Sequence, residues 1–249
     1  MTRTVKIRII FGLAFITVLC VLFVPPIAQD PHYHNLADRR VFLGIPNFCD
    51  VLSNLPFLIV GMMGLRFLQT RWNSDALSIQ PAEKRLWLVL FSVVALASFG
   101  SAYYHWAPDN HRLAWDRLFI ALTLITLFSI IVSERIGYAP YLFPVLAMAG
   151  IVSVFYWDFT ERQGLGDLRP YALAQFLPIL LIPLICILFP IPGTWRLVCA
   201  FGWYVLAKLF EHFDKAIFEQ TSISGHTLKH LAAGMSAYTL LSYLKYRKG

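Results

Sequence analysis

Uncharged apolar runs, each close to the length that crosses a bilayer, recur along the whole chain and decide what it can fold into. A helix needs about 20 apolar residues to cross roughly 30 Å of hydrocarbon. Within that layer every backbone N–H and C=O has to be satisfied inside the protein, which helices do by themselves. Such runs occupy residues 9–27, 51–68, 86–105, 118–133, 138–157, 171–189, 197–210 and 228–244. Only 14% of the 249 residues are charged, against about 25% in soluble domains. The expected fold is all-α: a polytopic transmembrane helix bundle of eight spans, with no separate soluble domain.

The net charge of +7 raises the question of nucleic acid, and its distribution answers it. Arg3, Lys6 and Arg8 precede the first span, while Arg66, Arg71, Lys84 and Arg85 surround the second connection. Lys245, Arg247 and Lys248 close the chain. With eight spans these clusters share one side, which the positive-inside rule makes cytoplasmic, so both termini are expected there. The other side receives residues 32–50, 106–116, 158–169 and 208–225, with most of the acidic groups. No basic stripe interleaved with aromatics remains for nucleic acid.

The first span also has the basic and apolar regions of a secretory signal peptide. Pro25 and Pro26 leave no small-x-small cleavage site, so an uncleaved helix over residues 1–28 is expected, ahead of a membrane domain over 29–249. Cys20, Cys186 and Cys199 lie in apolar runs and Cys49 near a boundary, without the Cys-x2-Cys spacing of a metal knuckle or redox pair. Pro183 is expected to kink the sixth span.

Against this apolar background five polar residues stand out: Ser101-x3-His105, Asp116, and His226-x3-His230. Ionisable side chains in membrane segments are costly and mark functional sites by default. Residues four apart share a helix face, so His226 and His230 can address one metal. The eight-span topology brings the end of span three and the starts of spans four and eight to the same, non-cytoplasmic membrane face. Neutral imidazole is the commonest zinc ligand, and three protein ligands with an open position form the catalytic zinc pattern. Singly, each residue has a plainer reading. His105 beside Trp106 suits the interface, Asp116 suits a helix cap, and Ser101 suits close helix packing. Together, at one depth, they read as a metal site.

The segments SFGSAYYHW, AWDRL and SGHTLKHLAAG, which carry these residues, resemble the alkaline ceramidase family. That family belongs to a superfamily of seven-helix membrane hydrolases that includes adiponectin-receptor-like proteins. NFCDVLSNLPFLIVG resembles its first core helix, and the resemblance runs over about residues 47–244. It implies a seven-helix core with one extra N-terminal helix. It further implies zinc (Zn2+) held by His105, His226 and His230, with Asp116 moving a proton and Ser101 holding water or the oxyanion. The implied reaction is hydrolysis of a membrane lipid amide, ceramide or a relative, to a fatty acid and a sphingoid-type amine. The family's calcium site is not reproduced, because Asn47 stands where its glutamate would open the first core helix. Asp30, Asn35, Asp38 and Asp50 have the oxygens, but Arg39 and Arg40 oppose a cation there.

The remaining polar residues have structural readings. Glu211, His212 and Asp214 read as a helix end and solvated loop. Asp158, Glu161, Asp167 and Arg169 read as loop salt bridges and caps. Arg117 reads as snorkelling to headgroups, and Trp106, Trp115 and Trp157 as an interfacial belt. The rivals to an enzyme are a receptor-like or scaffold protein with a structural zinc site, and a transporter. Structural zinc is normally closed by four protein ligands. Transporters show inverted repeats around a midplane site, and no repeat is visible here.

Overall fold

The computed structural model describes residues 1–72 and 79–247, so Lys248 of the last basic cluster lies outside the described residues. Among these residues the chain is helical with no strand, and it is an all-α membrane bundle. The helices are α1 (Arg3–Phe23), α2 (Phe48–Leu52), α3 (Leu55–Arg71), α4 (Pro81–Trp106) and α5 (Asn110–Arg135), followed by α6 (Leu142–Arg162), α7 (Arg169–Leu188), α8 (Thr194–His212), α9 (Asp214–Thr221) and α10 (Gly225–Tyr246). A 3-10 turn covers Pro31–His34. Among the described residues six segments are long and apolar enough to cross a membrane: Arg3–Phe23, Phe48–Arg71, Pro81–Trp106, Asn110–Arg135, Leu142–Arg162 and Arg169–Leu188. The last two expected spans form helices of 19 and 22 residues, α8 and α10, but these are more polar. Arg196, Lys208 and Glu211 lie in α8, and His226, Lys229, His230 and Lys245 in α10.

The chain divides into two compact units. The first combines Met1–Asp30 with Ile120–Pro192, so it holds α1, most of α5, α6 and α7. Here α7 packs on both α1 and α6. The basic N-terminus serves as a cap. Lys6 Nζ donates to the Leu188 carbonyl at 2.5 Å, and Arg3 donates to the Ile136 carbonyl. Both are carbonyls left over at helix C-termini, where cations are favourable. Pro178 and Pro183 both lie inside the continuous helix α7. Asp167 pairs with Arg169 at 2.8 Å and accepts its backbone N–H at 3.1 Å, the expected bridge and cap. Trp157 is fully buried, so it cannot belong to an interfacial belt, unlike half-exposed Trp106.

The second unit combines Pro31–Phe119 with Gly193–Gly249. In it α10 packs on α8 and α3, α3 on α4, and α2 on α4. Gly64 permits the α3–α4 approach, since a Cβ there would stand 2.2 Å from the ring of Phe91. The hydropathy run at 51–68 is broken into α2 and α3 for a chemical reason. Ser53 Oγ and Asn54 Nδ2 donate to the Asp50 carbonyl at 3.0 and 2.8 Å, competing with the helical backbone. Pro56 then opens α3, where its missing N–H costs nothing. Asp38, in the connection before α2, is buried and paired with Arg40 at 2.6 Å. The Arg40 hydrogen bonds hold its carboxyl below the usual carboxylate range.

Candidate metal centre

Three helix ends of the second unit supply the polar residues. α4 delivers Ser101 and His105 on one face of its last turns, and α10 delivers His226 and His230 on its first two turns. The three imidazoles are 0–5% exposed, and their rings lie 4.6, 4.8 and 4.9 Å apart between centroids. One ring nitrogen from each falls within 4.8 Å of the other two, an arrangement that can hold a metal ion. His105 Nε2 and His226 Nε2 are 3.2 Å apart. Two nitrogens on one tetrahedral ion at about 2.0–2.1 Å stand roughly 3.3 Å apart, so the spacing fits.

The surroundings aim these rings. Ser53 Oγ gives its proton to the Asp50 carbonyl, so at its 2.7 Å contact with His230 Nδ1 it accepts. Nδ1 therefore carries the ring proton and the Nε2 lone pair is free for a metal, the usual outer-shell logic of ligating histidine. His226 is placed through its backbone, whose N–H donates to Asp214 Oδ1 at 2.8 Å. Asp214 Oδ2 in turn accepts from Ala37 N at 3.1 Å. Gly225 makes this possible, because a Cβ there would lie 2.2 Å from the Phe210 carbonyl and 2.7 Å from the Asp214 Cα. Asn47, in left-handed backbone, donates from Nδ2 to the His105 carbonyl at 2.8 Å. His105 Nδ1 has no hydrogen-bond partner among the described residues, and its ring packs edge-on to Tyr104 at 4.7 Å.

Asp116 is buried, and Ser101 on α4 lies close enough to act on its carboxyl. It is not a cap: α5 starts at Asn110, and Asp109 caps it by accepting Arg112 N at 2.7 Å. Asp116 thus sits almost two turns inside the helix. Arg117 does not snorkel; it is 7% exposed and lies 5.7 Å from the Tyr33 ring centroid.

Glu211 and His212 close α8, the helix end expected there, but in place of a solvated loop Asp214 opens a further helix. Residues 214–221 form α9, and Glu211 bridges Lys208 at 2.7 Å and Lys229 at 2.9 Å. Lys229 lies within electrostatic reach of Asp116 and all three histidines. Asp50 is fully buried, and its Oδ1 accepts from Ser224 and Thr227 at 2.7 and 2.8 Å at the start of α10. Asn35 Oδ1 accepts from Arg39 at 2.9 Å, and both Asp38 oxygens accept from Arg40.

Sequence reasoning passed over Ser53, Asp50, Lys229 and Glu211 as parts of the site. The available signal was Lys229, a charge inside an expected span. Compared with known proteins, the chain matches no family model, no curated protein and no solved structure.

Proposed function

We propose that this chain is an integral-membrane, zinc-dependent hydrolase of lipid amides, similar in chemistry to the alkaline ceramidases it resembles. One observation carries the reading: three buried imidazoles converge to within metal-ligand distance of one another, in a unit that also buries Asp116 within reach of Ser101, on the same helix as His105. Three ligands leave a coordination position for chemistry, whereas a structural zinc is closed by four.

His105, His226 and His230 would hold the ion. Bound there, zinc lowers the pKa of a water towards about 7 and polarises a carbonyl oxygen. Asp116 takes a proton from the water that adds to the amide carbon, and gives it to the nitrogen as the C–N bond breaks. The products are a fatty acid and an amine of the sphingoid type. Ser101, within reach of Asp116, would orient that base or hold the water by hydrogen bonding. The site residues lie near helix ends, and the basic clusters support a membrane face opposite the cytoplasmic termini. A long acyl chain is accommodated by entry from the lipid side.

The test is incubation of purified, metal-loaded protein with a panel of lipid amides and esters, read by mass spectrometry of released fatty acid. Release from amides, abolished by a chelator and restored by zinc, is expected. No release from any amide by zinc-loaded protein contradicts the proposal.

A further inference from the structure

A charge cluster shares α10 with the histidines. Lys229 stands between His226 and His230 in sequence, and its Nζ donates to Glu211 Oε1 at 2.9 Å. Lys208, three residues before Glu211 on α8, donates to Oε2 at 2.7 Å, and the Tyr33 hydroxyl donates to Oε1 at 3.2 Å. The side chains of Lys229 and Glu211 are 14% and 18% exposed, whereas that of Lys208 is 41% exposed and shares its charge with water. A fixed ammonium within reach of three neutral imidazoles opposes any divalent cation they would bind, and poor solvation leaves that repulsion strong. Lys208, Lys229 and Glu211 together carry +1. Within this trio, removing Glu211 leaves +2 and removing Lys229 leaves zero, while Asp116 and Arg117 are the same in every case.

We propose that Glu211 is a positioning residue for the metal centre: by pairing with Lys229 it offsets the positive charge fixed between the two α10 histidines and so allows a divalent cation to bind. The inference rests on the metal-centre reading and not on hydrolysis. It predicts an order of affinities, because the charge beside the site changes in single steps while the histidines stay in place.

The experiment titrates zinc into the metal-free full chain in detergent against a competing chelator, for wild type, Glu211→Gln, Lys229→Met and the double variant. Glu211→Gln keeps the size of the side chain, and the uncompensated charge of Lys229 should then weaken zinc binding on the order of 10-fold or more. Adding Lys229→Met should restore affinity towards wild type, and Lys229→Met alone should bind more tightly than wild type. The double variant removes both members of a poorly solvated pair, a change that proteins commonly tolerate. If Glu211→Gln does not fold, Lys229→Met against wild type still decides: equal or weaker binding overturns the proposal. Equal affinity in all four chains, or a double variant as weak as Glu211→Gln, also overturns it. A wild type that takes up no zinc overturns the metal-centre reading itself.

Discussion

The first and last long helices have nearly the same length and opposite constructions. α1 has 21 residues and is the most apolar of the six candidate spans, and only Ile10 among them is buried. α10 has 22 residues, falls short of the apolar segments, and buries His226 and His230 together with Gly225, Ala232, Gly234, Ala237 and four more. Hydropathy therefore reports which helices meet lipid. It says little about which helices do chemistry, because a polar group paired inside protein needs no apolar disguise. α4 and α5, each at least half buried over their apolar windows, lie between these extremes and carry Ser101, His105 and Asp116.

Substitutions can sharpen or break this contrast. The largest effect should come from the ligands: His226→Ala/His230→Ala should strip nearly all zinc from the purified protein. Metal analysis finding about one zinc per chain in that variant, as for an intact three-histidine site, would falsify the site. Next comes Ser53→Ala, which removes the acceptor that fixes the His230 tautomer. Zinc affinity should fall on the order of 10- to 100-fold in a chelator competition, and wild-type affinity would show that Ser53 does not aim the ring.

Packing at α10 should matter less than its ligands. Gly225→Ala forces a Cβ against the Phe210 carbonyl, and overpacking of this kind costs about 1–3 kcal/mol. A lowered melting temperature in detergent is expected, and an unchanged one would mean that α8 and α10 have room between them. The smallest effect belongs to α1. Phe15 is 65% exposed, so Phe15→Leu should stay within about 0.5 kcal/mol of wild type. A larger loss would show that α1 is not the lipid-facing helix its exposure suggests.

What could be read from the chain followed from physical period and cost. Seven of the eight apolar runs map onto one long helix each and the run at 51–68 divides between α2 and α3, because a helix satisfies its own backbone across a bilayer. His105, His226 and His230 were legible because imidazole is rare enough in apolar runs for spacing to carry information, and the fold does bring them together. The break between α2 and α3 was not legible: it depends on Ser53 and Asn54 bonding back to one carbonyl, which hydropathy averages away. α9 and the Glu211–Lys229 pair were missed for a related reason. Acidic residues after an apolar run look like a solvated loop until the partner cation, eighteen residues on, is placed beside them. Trp157 and Arg117 misled in the opposite direction, since position near a span end does not say which way a side chain faces.

The central claim is that a metal held by three histidines works with a buried carboxylate in catalysis, and Asp116→Asn tests it most directly. The substitution keeps shape and removes the proton acceptor. Lipid amide turnover should fall by about 10²- to 10⁴-fold, while zinc content and melting temperature stay near wild type. If Asp116 were instead a fourth ligand closing a structural site, zinc retention and stability would fall together, with no turnover to lose. Unchanged fatty-acid release by Asp116→Asn would contradict the account, even with zinc bound by the three histidines.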